Sequence, residues 1–344
     1  MSDTSNFGYL MVHFVEDAAN HAEKIYFSLS QGEDPTHWYR LNDGQPILEA
    51  RIGTTGIRDP HLVRAPDGDN FYLIGTDLRV FGGDDAGWDA WSSRGSRSIL
   101  VWESTDLISW SNERLVEIAP PDAGMAWAPE AIVDPATGGF VLTWSSTLYD
   151  QATDPDHRGD SYSRILSATT RDFRSFSAAR IYLDTGSTTI DTKMISHGGK
   201  VYRFHKDNGP NGRQLYADVV TSLYADDAIV LQERIGHQQF GDVEGHWCSR
   251  TIAPIDGSSS STSTERNVRD TGPSSPTTPR PETGRRTRAR SSSPTTPSTA
   301  SYCRSEGPNG NVSRERPGAR CDSANARLRA YLPHVSCRRP GERG

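Results

Sequence analysis

The chain has 344 residues and a formal net charge of −7, with 34% hydrophobic residues and four cysteines. That length holds one large domain or two ordinary ones, and the low apolar content implies that part of the chain builds no core. No run approaches the ~20 apolar residues of a membrane span, and Tyr9-Leu10-Met11-Val12-His13-Phe14-Val15 is too short for a secretory signal, so the sequence as written reads as soluble and cytoplasmic, or as secreted if a signal peptide was lost.

The charge is unevenly spread. Up to Trp247 there are 20 Lys+Arg against 36 Asp+Glu; after it there are 17 Arg, no Lys and 8 acidic residues. The first segment holds nearly all the aromatics, whereas all the cysteines (Cys248, Cys303, Cys321, Cys337) fall in the second. Two regions follow, 1–247 as a folded body and 248–344 as a disordered Arg/Ser/Pro/Thr-rich tail.

In chain order, Phe71-Tyr72-Leu73-Ile74-Gly75, Ser98-Ile99-Leu100-Val101-Trp102, Phe140-Val141-Leu142-Thr143-Trp144 and Lys200-Val201-Tyr202-Arg203-Phe204 read as strands. Asp67-Gly68, Thr137-Gly138-Gly139 and His197-Gly198-Gly199 supply tight turns between paired strands. A Ser/Thr-Asp-aromatic turn recurs at Ser104-Thr105-Asp106-Leu107 and Thr170-Arg171-Asp172-Phe173, with a looser copy over Ser28–Trp38. No helix of three turns is predicted. The body is all-β, and four-stranded units repeating every ~50–70 residues predict a β-propeller. Four blade starts after an N-terminal half-unit predict five blades, the fifth missing or replaced by the tail.

Four acidic residues open short apolar runs: Asp59, Glu130, Asp191 and Glu244. In a propeller the starts of the innermost strands face one axial pocket, so the four are expected at equivalent positions around it. Converging carboxylates suit hydrolysis of a glycosidic bond, where one group donates a proton and another activates water. Crowded like charges raise at least one pKa, as a proton donor requires. Trp127, with Trp88 or Trp91, offers a stacking face for a sugar. Each residue also has a plainer reading: Asp-Pro is common turn punctuation, Glu130 after Pro129 can cap a strand, and Trp127 can be blade core. His61, His197 and His205 lack metal-ligand spacing. Gly82-Gly83-Asp84-Asp85 is a loop rather than a phosphate cradle.

These pieces resemble glycoside hydrolase family 43, the inverting five-bladed propellers that include α-L-arabinofuranosidases, arabinanases and β-xylosidases. The resemblance rests on Arg58-Asp59-Pro60-His61-Leu62, Trp127-Ala128-Pro129-Glu130, Ile190-Asp191 ahead of Lys200–Asp207, and Val243-Glu244-Gly245, and covers roughly residues 8–245. It implies Asp59 as general base, Asp191 as the residue that tunes and orients the acid, and Glu244 as general acid. It implies Trp127 as a sugar-lining residue, with Glu130 and His61 as substrate-binding or supporting groups. It implies a carbohydrate substrate with pentose linkages, a monomer, no nucleic acid or membrane partner and no organic cofactor; a structural cation such as calcium has no identifiable ligand. Two alternatives stand beside it: a non-catalytic glycan-binding propeller, and a fructan- or sucrose-cleaving propeller, whose Asn-Asp-Pro and Glu-Cys motifs are missing here.

After Gly245 the family pattern stops. Ser258–Thr264, the Pro-rich stretch 273–281 and Arg285-Arg286-Thr287-Arg288-Ala289-Arg290 show no strand pattern. A reading-frame slip near Gly245 explains the Arg/Ser/Pro/Thr bias and the sudden cysteines better than a true linker to a small module or a basic nucleic-acid arm. A propeller short of a blade leaves strand edges open, so weak folding or weak activity is expected of this chain.

Overall fold

The computed structural model describes residues 6–15, 23–32, 34–210, 212–240 and 297–306. Sixteen strands in four four-stranded antiparallel sheets form the framework of this region. One contains β1 (Asn6–Val15), β2 (Ile25–Gln31) and β3 (Asp34–Arg40). The second contains β4 (Ile57–Arg64), β5 (Phe71–Asp77), β6 (Ser98–Ser104) and β7 (Arg114–Glu117). The third contains β8 (Trp127–Asp134), β9 (Gly139–Thr147), β10 (Ser163–Thr170) and β11 (Arg180–Leu183). The fourth contains β12 (Thr189–His197), β13 (Lys200–Asp207), β14 (Gln214–Val220) and β15 (Ile229–Gln232). A last strand, β16 (Pro297–Glu306), pairs antiparallel with β1 and completes the first sheet in the order β16-β1-β2-β3.

The sheets are the blades of an all-β propeller. Their first strands stand side by side: β4 packs against β16 and β1, β8 against β4 and β5, and β12 against β8 and β9. The sequence reading finds no strand beyond Trp247. The structure corrects this at 297–306, where the otherwise open inner edge of β1 provides a row of backbone donors and acceptors for pairing. The expected start of a fifth blade at Val243-Glu244-Gly245, and the rest of the tail, lie outside the described residues.

Burial runs from the axis outward as a stacked ring requires. The second strands β5 and β9 are buried along their whole length, while the outermost β15 is exposed throughout. A strand covered on both faces reads as a continuous apolar run, which is why 71–74 and 140–144 lack polar alternation. Successive side chains still point to opposite faces. Phe71 and Leu73 join the core shared with Leu10, Val12, Ile25 and Phe27, whereas Tyr72 and Ile74 join Phe140, Leu142, Trp144 and Phe173 on the other side. Val141 turns to a third core with Met194, Val201 and Val220.

The repeated turns match in atomic detail. Ser104 Oγ accepts from Leu107 N and Asp106 Oδ1 from Ile108 N and Ser109 N. Thr170 Oγ1 accepts from Phe173 N and Asp172 Oδ1 from Arg174 N and Ser175 N. Leu107 and Phe173 both take left-handed φ, 60° and 51°, and both are buried in blade cores. A seven-residue helix, α1 (Trp88–Arg94), interrupts the second blade between β5 and β6. It is too short for a periodic signature in the sequence. No helix among the described residues is long and apolar enough to cross a membrane.

Candidate active site

Each inner strand carries the same irregularity near its start. In β4 the register with β5 shifts between Arg58↔Thr76 and His61↔Ile74. In β8 it shifts between Trp127↔Ser145 and Glu130↔Thr143, and in β12 between Ile190↔Lys206 and Lys193↔Phe204. In every case two inner-strand residues face one partner residue, which is a β-bulge. The first residue of each bulge has left-handed φ: Asp59 49°, Ala128 47° and Asp191 56°. Asp tolerates this region, whereas for Ala it costs about 1–2 kcal/mol, so the ring imposes the geometry at Ala128.

The bulges define which residues are equivalent. Asp59, Ala128 and Asp191 share one position; His61, Glu130 and Lys193 share the position two residues on. This corrects the grouping of Glu130 with the two aspartates. Aligned by charge, Glu130 matches Asp59; aligned by Pro60 and Pro129, it matches His61, and that is the register the chain adopts.

Hydroxyls of the second strands tie one bulge to the next. Thr76 Oγ1 donates to Asp59 Oδ2 at 2.9 Å and accepts from Ala128 N at 2.7 Å. One blade further on, Ser145 Oγ accepts from Asp191 N at 3.1 Å. Both aspartates are half-buried. Thr192, beside Asp191, meets Nδ1 of the buried His205 through its hydroxyl at 2.8 Å. His205 Nε2 in turn lies 3.3 Å from Asp218 Oδ2, and Arg203 forks onto both oxygens of Asp218 at 2.7 and 2.9 Å. Burial pushes the Asp218 carboxyl up, but His205 and Arg203 outweigh it and hold the group down to about 2.

His61, Glu130 and Lys193 come together below the bulges. His61 Nδ1 lies 2.7 Å from Glu130 Oε1, and its Nε2 donates to Ala131 O at 2.9 Å. Lys193 Nζ donates to the same Oε1 of Glu130. The three side chains are only 12%, 5% and 7% exposed. Burial alone would raise the Glu130 carboxyl; the adjacent His61 and Lys193 bring it down to about 2. Glu130 is thus an engaged internal anion, and His61 is held against it.

An aromatic corner borders the bulges. Trp127 is half-buried and meets Trp88 edge-on, with ring centroids 5.9 Å apart. Trp88 is 51% exposed, lies edge-on to Trp91 at 5.3 Å and covers the Arg58 guanidinium at 5.5 Å. Asp84 fixes Trp91 by accepting from its Nε1 at 2.8 Å, which gives the Gly82-Gly83-Asp84-Asp85 loop an anchoring task. Arg58 is buried and reaches Glu23 Oε1 at 2.8 Å, while Glu23 also accepts from Val80 N. Sequence reasoning missed Glu23 because residues 16–24 carry no strand pattern to place it in. It missed Thr76 and Ser145 because hydroxyls inside apolar strands read as filler.

Glu244 lies outside the described residues. Among the described residues no group of three or more His, Cys, Asp or Glu is placed to hold a metal ion. A cleft of about 900 Å³ lies at the C-terminal end of α1, lined by Arg94, Arg97, His157 and Arg158 among others; it does not include the bulge residues.

The model of a probable glycosyl hydrolase domain, related to family 43, matches residues 5–252. An α-L-arabinofuranosidase of Bifidobacterium longum subsp. longum is 34% identical over an alignment of 235 residues that covers 65% of this chain; the chain spans 22% of that relative's length. Among solved structures, a thermostable family-43 glycoside hydrolase aligns at 20% identity and TM-score 0.36, over 54% of this chain and 56% of its own. The α-L-arabinanase of Penicillium chrysogenum complexed with arabinobiose aligns at 13% identity and TM-score 0.44, over 67% and 65%. The chain belongs to the family of probable glycosyl hydrolase domains related to glycoside hydrolase family 43.

Proposed function

We propose that this chain is the catalytic domain of a glycoside hydrolase that cleaves arabinofuranosyl linkages of plant-type polysaccharides by single displacement with inversion. The observation that carries the reading is the bulge repeat. Of three equivalent left-handed positions on successive inner strands, the first and third hold Asp59 and Asp191 and the one between holds the small Ala128. Bulges re-aim side chains and cluster at active sites. Two carboxylates flanking an alanine leave room for a sugar ring, with Trp127 and Trp88 as a stacking wall. The arabinofuranosyl preference rests on the Bifidobacterium relative's description.

Asp59 is assigned as the base. The Thr76 hydroxyl on Oδ2 fixes its rotamer, so that the carboxylate can take a proton from a water attacking the anomeric carbon. Asp191 orients the proton donor, a task given to Glu244 on sequence grounds. Inversion needs the two working carboxyl groups roughly 6.5–9.5 Å apart to admit that water.

Hydrolysis of 4-nitrophenyl α-L-arabinofuranoside, with the β-D-xylopyranoside as comparison, tests the reading. Asp59→Asn should lower kcat by about 10²–10⁴-fold, the range for loss of a general base, and still bind arabino-oligosaccharide. Binding by the parent chain without turnover would instead make the domain a glycan-binding propeller.

A further inference from the structure

The His61–Glu130–Lys193 cluster has a feature that a chance buried ion pair lacks: its members occupy one position of the repeat in three successive blades. His61 reaches from β4 and Lys193 from β12, and both arrive at the same oxygen of Glu130 on β8. Each of the three stands two residues beyond the left-handed residue of its own bulge. The cluster therefore spans the strands that bear Asp59, Ala128 and Asp191, one step beneath them. Above it, the hydroxyl ties Thr76–Ala128 and Ser145–Asp191 link β8 and β12 to the second strands, β5 and β9, of the preceding blades.

We propose that Glu130 is a positioning residue, which draws His61 and Lys193 together and so fixes the relative placement of the Asp59 and Asp191 bulges, without itself touching substrate. Its buried carboxylate accepts from the Lys193 ammonium and lies 2.7 Å from His61 Nδ1, with no exposed face to offer a sugar. Charge-assisted bonds are the strong and geometrically demanding kind, and interiors this tightly packed pass a displacement on rather than absorb it. If the anchor is lost, β4 and β12 move relative to β8, and a shift of about 1 Å between catalytic groups is enough to cost ~10²-fold in rate.

The inference rests on the proposed hydrolase activity for its kinetic arm only. Glu130→Gln keeps the shape but removes the charge; Glu130→Gln with Lys193→Met removes both members of the Glu130–Lys193 ion pair, so that neither is left as an unpaired buried charge if the single variant fails to fold. Two quantities are read in the full chain. One is deuterium uptake by peptides spanning 126–130 and 189–193, which carry the Ala128 and Asp191 amides. The other is kcat and KM on the aryl arabinofuranoside.

Both bulge peptides should exchange at least 10-fold faster while the β9–β10 peptides do not change. kcat should fall at least 10-fold with KM within about 3-fold, and Lys193→Arg should retain most of the rate. Unchanged exchange at the two bulges, or a rise in KM at unchanged kcat, overturns the proposal; the second result would make Glu130 a substrate contact. A parent chain that does not hydrolyse the substrate defeats the proposed function, and the exchange comparison then decides this inference alone.

Discussion

Asp59 and Asp191 stand at the same step of the propeller repeat. Each follows the second paired residue of an inner strand, each takes left-handed φ (49° and 56°), and each is the first of two residues opposite a single residue of the next strand. They differ in how the neighbouring strands hold them: Asp59 through its carboxylate, by Thr76, and Asp191 through its backbone N–H, by Ser145.

That difference separates the two on substitution. Replacing Asp191 with Asn retains the backbone bond to Ser145, so stability should hold within about 0.5 kcal/mol, the range for a substitution that disturbs no core or cap. Activity should nevertheless fall by about 10²-fold, in line with loss of one preorganised electrostatic partner. Thermal melts and steady-state kinetics on the same preparation check both numbers.

Thr76→Val removes the donor to Asp59 and the acceptor for Ala128 N in one step. A buried N–H without a partner costs about 1–3 kcal/mol, and the Asp59 carboxylate loses its fixed rotamer. Both denaturant midpoint and kcat should drop, whereas Thr76→Ser should restore most of each. Urea titration beside the aryl-glycoside assay gives the comparison.

Trp88→Ala strips the exposed wall of the aromatic corner without touching the bulges. KM for arabino-oligosaccharides should rise roughly 3–10-fold, equivalent to about 0.7–1.4 kcal/mol of stacking, with kcat nearly constant. Isothermal titration with the Asp59→Asn variant measures the binding loss free of turnover.

Acid should unfold the propeller in two stages. Burial, then the nearby Arg40, lowers the His13 pKa from 6.5 to about 4. A depressed folded value means stability that is complete above the unfolded pKa and lost as pH falls through the folded one, here from about 6.5 to 4. Glu130 and Asp218, both held to about 2, add a second loss between their unfolded values near 4 and about 2. His13→Gln should flatten the melting temperature between pH 6.5 and 4 and leave the lower stage intact. Melts at half-unit pH intervals resolve the two.

Much of the fold could be read in the sequence because strands and turns leave local signatures. The apolar runs at 71–75, 98–102, 140–144 and 200–204 all fall inside β5, β6, β9 and β13, and the Gly turns at 67–68, 137–139 and 197–199 all join a first strand to a second. What stayed hidden was register. A bulge shifts equivalence by one residue without changing composition, so Glu130 looked like a partner of Asp59 when it was a partner of His61. Glu23, buried at 1% and holding Arg58, gave no signal because its local sequence fits no periodic element.

The first-formed anomer, followed by proton NMR in the opening minutes of hydrolysis of 4-nitrophenyl α-L-arabinofuranoside, tests the assignment of Asp59 as a base on water most directly. Inversion predicts β-L-arabinofuranose from the parent chain and release at least about 100-fold slower from Asp59→Asn. Appearance of the α-anomer first, or unchanged release from Asp59→Asn, would contradict it.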